Sequence, residues 1–162
     1  MIKLKEKGKV SKKWTITKFA SQKDFEEGKP YKESVINHNC LVNEGINELW
    51  TIVCSDSGDE YSNANANLIV GTGSGAATAT DTEATFTAGV KKTMDSGYPT
   101  YGTDQKATWR ATYAADEANQ VWQEFGVLNA ASSGDLLNRL VSNQGTKTSG
   151  QVWQLTFEIT LS

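Results

Sequence analysis

Histidine, cysteine, proline and methionine are nearly missing from this chain of 162 residues, which holds one His, two Cys, two Pro and two Met. Two cysteines, Cys40 and Cys54, make no disulfide framework and fit a reducing compartment of synthesis. His38 and Cys40 could offer two metal ligands, but a structural zinc needs four and no second pair exists. Cys54 falls on an apolar helix face and Cys40 precedes Leu41 and Val42, so both read as small buried hydrophobes. Long apolar runs are also missing. None approaches the ~18 residues of a spanning helix, and the first residues lack the apolar stretch of a signal peptide. The expectation is a soluble protein made and used without export, with no membrane contact and no cofactor.

What is present argues for a core. Hydrophobic residues make up 38% of the chain and charged residues 22%, with five each of Trp, Tyr and Phe. That is too aromatic for a disordered polypeptide, and the length suits one domain or one domain plus an arm. Charge is divided along the chain. Residues 1–32 carry ten Lys and four acids, a balance of +6, whereas residues 33–162 carry six basic and fifteen acidic residues, a balance of −9. A basic arm of residues 1–20 on an acidic domain of residues 21–162 is the resulting division. The acidic body would repel phosphate backbones, and aromatic–basic interleaving before Tyr31 is thin, so nucleic acid is not an expected partner.

Hydrophobic spacing predicts a mainly β protein. Residues 9–19 place Trp14 and Ile16 among Lys and Thr, as in a half-buried strand. Gly28 and Pro30 make a turn, and residues 31–42 read as a strand pairing back as a hairpin. Asn43 and Glu44 then start the one convincing helix, 43–54. In it Ile46, Leu49, Trp50 and Val53 follow helical spacing and are expected to face the core. A polar loop covers 55–67, a short apolar strand 68–73 ends in glycines, and 73–85 is nearly featureless. Strands follow at 87–95, 106–113, 121–128, 136–141 and 152–161, with turns at 97–102 and 132–135. Alternation is clearest at the end, where Trp153, Leu155, Phe157, Ile159 and Leu161 share one face. One helix among several closely spaced antiparallel strands predicts a β-sandwich or flattened barrel. Trp109, Phe125, Trp153, Phe157 and Ile159 are the expected core.

Candidate chemistry is sparse. Gly71-Thr72-Gly73-Ser74-Gly75 follows a strand, but Ala76 and Ala77 stand where a phosphate loop needs Lys and Ser or Thr, so a surface loop is the better reading. Asp56, Asp59 and Glu60 form a loop cluster without calcium-loop spacing. Glu44, Asp81, Glu124 and Asp135 are the carboxylates from which an acid–base pair could be drawn, with nothing to place two across a cleft. Trp109, Trp122 and Tyr113 could stack on sugars, though alternating aromatics are more often core. No catalytic residue is expected, and the chain reads as a non-enzyme.

The stretches NEGINELW (43–50), SNANANLIVGTG (62–73), KKTMDSGYP (91–99), VWQEFGVLNAASSGDLLNRLV (121–141) and KTSGQVWQLTFEITLS (147–162) resemble a family of small structural proteins of tailed-bacteriophage virions. The resemblance implies a capsid decoration (cement) protein that binds and stabilises the outer head shell, with the phage's major capsid protein as partner. It also implies a homo-oligomer, with the trimer as the form such proteins often take, assembled in the host cytoplasm and located on the virion. The WQEFGVLN element and LLNRL also resemble tail-fibre attachment segments, which implies the alternative of a host-glycan-binding tail module. On the first reading, residues 1–20 form an extended arm whose Lys9, Lys12, Lys13, Trp14, Ile16 and Lys18 contact the capsid.

Overall fold

A computed structural model describes residues 8–55 and 57–162. Among the described residues ten strands form two antiparallel five-stranded sheets. The strands are β1 (Val10–Phe19), β2 (Lys32–Ile36), β3 (Cys40–Leu41), β4 (Asn67–Gly71), β5 (Val90–Thr93), β6 (Thr100–Thr103), β7 (Lys106–Tyr113), β8 (Glu124–Leu128), β9 (Leu136–Val141) and β10 (Val152–Leu161). One sheet has the order β2-β1-β10-β7-β6 and the other β3-β9-β8-β4-β5, so the architecture is a β-sandwich and not a closed barrel. Helices are α1 (Gln22–Glu26) and α2 (Asn43–Cys54), with a single 3₁₀ turn at Glu83–Thr85.

Two hydrophobic patterns explain the two sheets. In β1, β7 and β10 apolar and polar residues alternate, because one face meets the core and the other meets solvent. Trp14 and Ile16 of β1, Trp109, Ala111 and Tyr113 of β7, and Trp153, Leu155 and Phe157 of β10 all enter the shared core. In β4, β8 and β9 nearly every residue is buried, since the second sheet is covered on both faces. Its inner face adds Leu68, Val70, Phe125, Val127 and Leu140 to the main core. Its outer face packs Ile69, Leu128 and Leu136 with Val42 and Phe86 in a second, smaller cluster.

Aromatic rings fill the space between the layers, and Trp14 of β1 faces Phe125 of β8 across it with centroids 6.1 Å apart. Trp122 meets Trp153 edge-on with centroids 5.0 Å apart and meets Tyr113 at 4.8 Å. Phe157 lies between Trp14 at 4.8 Å and Trp109 at 5.7 Å. Rings at these separations and tilts contribute about 0.5–1.5 kcal/mol per pair beyond the area they bury.

Besides the strand β6 that forms inside the expected turn at 97–102 and the unexpected α1, the structure departs from the spacing argument in four places. Residues 10–19 are not an arm: β1 lies between β2 and β10 and pairs with β10 from Val10 to Phe19. Residues 31–42 split, because β2 pairs with β1 while β3 crosses to the opposite sheet beside β9. The helix begins as expected, but Val42 is its cap and no side chain caps it; the Asn43 N–H donates instead to the Ala79 carbonyl. The fourth departure is the orientation of α2. Its expected core face looks outward, with Leu49, Trp50 and Val53 exposed and Cys54 exposed beside them.

The last of these follows from Gly45. A Cβ at that position would lie 2.4 Å from the Leu137 Cα, so the glycine lets the helix backbone settle directly on β9. Glu44 then accepts a hydrogen bond from the Leu136 N–H at 2.7 Å, and Glu48 accepts one from the Asp59 N–H. The anchored side is thus the one that carries Glu44, Gly45 and Glu48, together with Ile52, which packs against the main core.

Trp153 is the ring on which both sheets close, at 2% exposure. Trp153→Ala is expected to lower stability by about 3–5 kcal/mol in urea unfolding, and a loss below about 1 kcal/mol would show that the ring does not hold the layers together.

Candidate functional site

The densest polar constellation is built on the outer face of β8 and β9. Glu124 is wholly buried, and Arg139 and Asp81 are nearly so. Arg139 donates from Nη2 to Glu124 at 2.7 Å and from Nη1 to Asp81 at 2.8 Å. Glu124 also accepts the N–H of Gly73 at 2.8 Å and that of Thr87 at 2.7 Å. Asp81 accepts both the N–H and the hydroxyl of Thr78. Burial alone would raise the Asp81 carboxyl, but the Thr78 hydrogen bonds and the Arg139 charge outweigh it and hold the group below its ordinary range.

This geometry explains the glycine-rich stretch. A Cβ on Gly71 or Gly73 would stand 2.5 or 2.6 Å from the Glu124 carboxylate oxygen. The glycines therefore make room for an internal carboxylate, and the Gly73 amide of this loop points at Glu124. An open cleft of about 480 Å³ lies beside them, bounded by Gly73, Ser74, Asp81, Thr87 and Arg139. The Arg139 charge at its wall is already shared by two carboxylates. A neighbouring open cleft of about 470 Å³ contains His38, Asn39 and Cys40 at its rim.

The four candidate carboxylates fall into two groups. Asp81 and Glu124 meet through Arg139, a pairing that no sequence spacing signalled. Glu44 and Asp135 are close enough to repel, and burial followed by that repulsion raises the Glu44 carboxyl despite the Leu136 N–H. The Asp81 and Glu124 oxygens are engaged by backbone, hydroxyl and guanidinium donors, and Glu44 accepts from the Leu136 N–H. Among the described residues no three His, Cys, Asp or Glu side chains converge. Asp56 of the loop cluster lies outside the described residues. Trp109, Trp122 and Tyr113 do not form a sugar platform: all are buried in the core, and the Trp109 and Tyr113 polar atoms bond to the carbonyls of Tyr61 and Leu68.

The expected contact residues of the N-terminal segment are likewise redistributed. Trp14 and Ile16 are fully buried, so neither is available to a partner. Lys18 is also inside, donating to the Gln144 carbonyl with its Nζ 4.3 Å from the Trp153 ring centroid. Lys12 donates to the Asn39 carbonyl at 3.1 Å, and Lys13 pairs with Glu158. Only Lys9 among them remains on the surface without a side-chain bond among the described residues.

Sequence reasoning missed the two buried lysines. Lys147 is fully buried and donates to the carbonyls of Ala114 and Glu117 and to the Asn119 side chain at 2.7–2.9 Å. Lys18 occupies an inward position of β1 in line with Trp14 and Ile16; that parity was the available signal. Burial, aided by the nearby Lys32 charge, pulls the Lys18 ammonium down to about 8.

Two stability measurements test these placements. Glu124→Gln is expected to cost about 3–5 kcal/mol, since it leaves Arg139 buried with one carboxylate. Hydrogen exchange at the Gly73 and Thr87 amides should quicken with it; a loss within error would remove the carboxylate from its anchoring role. The pH dependence has two arms. Asp81, Glu117 and Glu158 have depressed carboxyls, each because hydrogen bonds and cations overcome burial. Their stabilisation is present above about pH 4 and is lost as the pH falls further. Lys18 and Lys147, both depressed chiefly by burial, act oppositely: between its lowered value, about 8 for Lys18, and the ordinary lysine range the unfolded chain binds more protons, so stability rises with pH. Lys18→Met should remove the Lys18 share of that rise, measured as the difference between the two proteins' unfolding free energies from pH 7 to pH 10. An unchanged slope would place the ammonium in water.

Comparison of the chain with family models, curated proteins and solved structures gives no match in any of the three.

Proposed function

We propose that this protein is a non-enzymatic structural component of a tailed-bacteriophage virion, a decoration protein that lies on the outer head shell and stabilises it. The observation that carries this reading is the outer face of the sheet formed by β2, β1, β10, β7 and β6. Among the described residues only the short α1 meets it, at one end where Phe25 stands edge-on to Phe19 at 5.1 Å, and strand parity directs Thr15, Thr17, Gln154, Thr156, Thr160 and Thr112 outward along its three central strands. Its charges are largely neutralised in place. Glu158 pairs with both Lys13 and Lys106, and Arg110 pairs with Asp95.

Such a surface is stiff, broad and rich in hydroxyl and amide groups, with its largest aromatic residues turned inward. It suits repeated hydrogen-bonded contact with a protein lattice. Many copies on a closed shell make a modest single contact persistent through effective concentration. The resemblance of residues 43–50, 62–73, 91–99, 121–141 and 147–162 to phage virion proteins names that lattice as the head shell and the major capsid protein as the partner. The contact surface is assigned to this sheet face in place of an N-terminal arm, because Trp14, Ile16 and Lys18 are interior.

The test uses heads purified without this protein. Wild-type protein added back should cosediment with them. Thr15→Arg, which puts a bulky charge at the centre of the face, should weaken binding roughly tenfold or more with little change in thermal stability. Equal binding by the variant would move the contact elsewhere. Failure of the wild type to bind heads, with a positive signal on a glycan array, would favour the tail-module reading instead.

A further inference from the structure

The sheet containing β9 has an edge that its own chain leaves unfinished. β3 is two residues long and pairs with β9 only where Cys40 meets Arg139 and Leu41 meets Asn138. One step on, the register would set Asn39 beside Leu140 and His38 beside Val141, but there the chain is still crossing from β2 of the other sheet. Two bonds fix which way the β9 backbone points. The Ser142 N–H donates to the Gln123 carbonyl on the β8 side, and the Val42 N–H donates to the Leu137 carbonyl on the β3 side. Hydrogen-bonding groups alternate sides along a strand, so those of Leu137, Arg139 and Val141 face β3. The Val141 N–H and C=O therefore project from the edge, and among the described residues neither has a partner.

The open cleft of about 470 Å³ occupies this gap. Leu140 and Val141 line it together with His38, Asn39 and Cys40, and with Ala76 of the loop beyond β4. A second group here lacks a partner. Both polar atoms of the Asn39 carboxamide are closed to solvent and bonded to nothing among the described residues, although the Asn39 main-chain carbonyl accepts from Lys12. An orphaned buried amide costs free energy that neither water nor protein returns. Segment 37–39 is thus poised to part from β9 for an entrant that supplies a donor and an acceptor.

The chemistry of the gap specifies that entrant. Val141 offers one donor and one acceptor from a single residue, the pair that a neighbouring extended strand exchanges with it. Asn39 offers the same pair from a side chain. Arg139, the cation at the cleft, is already shared by Glu124 and Asp81, so no free charge calls for an ionic ligand. Cys40 and Ala76 are small and suit small side chains on the entering chain. The cleft also adjoins the edge of the open sheet face, since β2 and β3 are end strands of their sheets and residues 37–39 join them.

We propose that this cleft is the docking site for an extended segment of the head-shell protein, which adds beside β9 in the place that the chain vacates at His38. The Val141 N–H and C=O pair with its backbone, and the Asn39 carboxamide bonds to a neighbouring peptide unit. This rests on the head-shell reading and adds a second contact to it, reached from the sheet face around their shared edge.

Heads purified without this protein provide the test, with binding read by cosedimentation and stability by urea unfolding of the free protein. Asn39→Leu removes the orphaned amide, so stability should equal or exceed that of the wild type while binding weakens roughly tenfold. A residue with a structural role alone would instead lose stability without a separate loss of binding. Val141→Pro removes a donor that β8 does not use and should weaken binding to a similar degree. Hydrogen exchange adds a readout that needs no variant. The Val141 amide should exchange more slowly in head-bound wild type than in free protein, whereas contact through the side chains of the sheet face alone would leave its rate unchanged. Wild-type binding by both variants, or an unprotected Val141 amide on bound protein, overturns the cleft contact and leaves the head-shell reading standing. Failure of the wild type to bind heads overturns both.

Discussion

The packing of β10 against the opposite sheet is the constraint from which the remaining structure follows. Its neighbours β1 and β7 hydrogen-bond along nearly its whole length. Its inward residues Trp153, Leu155 and Phe157 lie in the space between layers, where Phe157 meets Trp14 and Trp109 of its own sheet, Trp14 reaches Phe125 of the opposite sheet, and Trp153 meets Trp122. Once those rings are inside, strand parity leaves no choice about the other face: Gln154, Thr156, Glu158 and Thr160 must look outward. The polar contact face proposed for the head shell is thus the reverse side of the hydrophobic core.

The second sheet meets a harder problem, because covering both of its faces buries polar groups as well as apolar ones. Glu124 in the middle of a buried strand would be costly as an isolated carboxylate. It is tolerable because Arg139 and two loop amides use its oxygens, and that arrangement fixes the loop beyond β4 and the turn at Thr87. Lys147 shows the same logic, with an ammonium group surrounded by three acceptors. These buried charges are instruments of position: each ties a loop without regular structure to the sandwich. The same loops read as featureless because their order comes from side chains distant in sequence.

That difference decides what was legible in the residues. The strands of the first sheet declare themselves by alternation, so β1, β7 and β10 and their inward faces are readable directly. The all-apolar β4, and β9 with its buried Asn138 and Arg139, announce burial but not which layer covers them. The helix is readable as a helix from Ile46, Leu49, Trp50 and Val53, yet its orientation is not. An apolar stripe normally turns inward, and only the contact of Gly45 with Leu137 reveals that here the opposite side is seated. The inward lysines of β1 were legible by parity, but charge weighed against placing Lys18 in a core. The pairing of Asp81 with Glu124 spans 43 positions through Arg139 and left no local trace.

The open face of the first sheet and the exposed ridge of α2 differ in kind and in origin. The face carries Thr15, Thr17, Gln154, Thr156 and Thr112, with Glu158 neutralised by Lys13 and Lys106, whereas the ridge of Leu49, Trp50 and Val53 is apolar. Alternation sets the first, since strand parity sends every second residue of β1, β7 and β10 outward. The seating of Gly45 on β9 sets the second, because it turns the other side of the helix to the sheet.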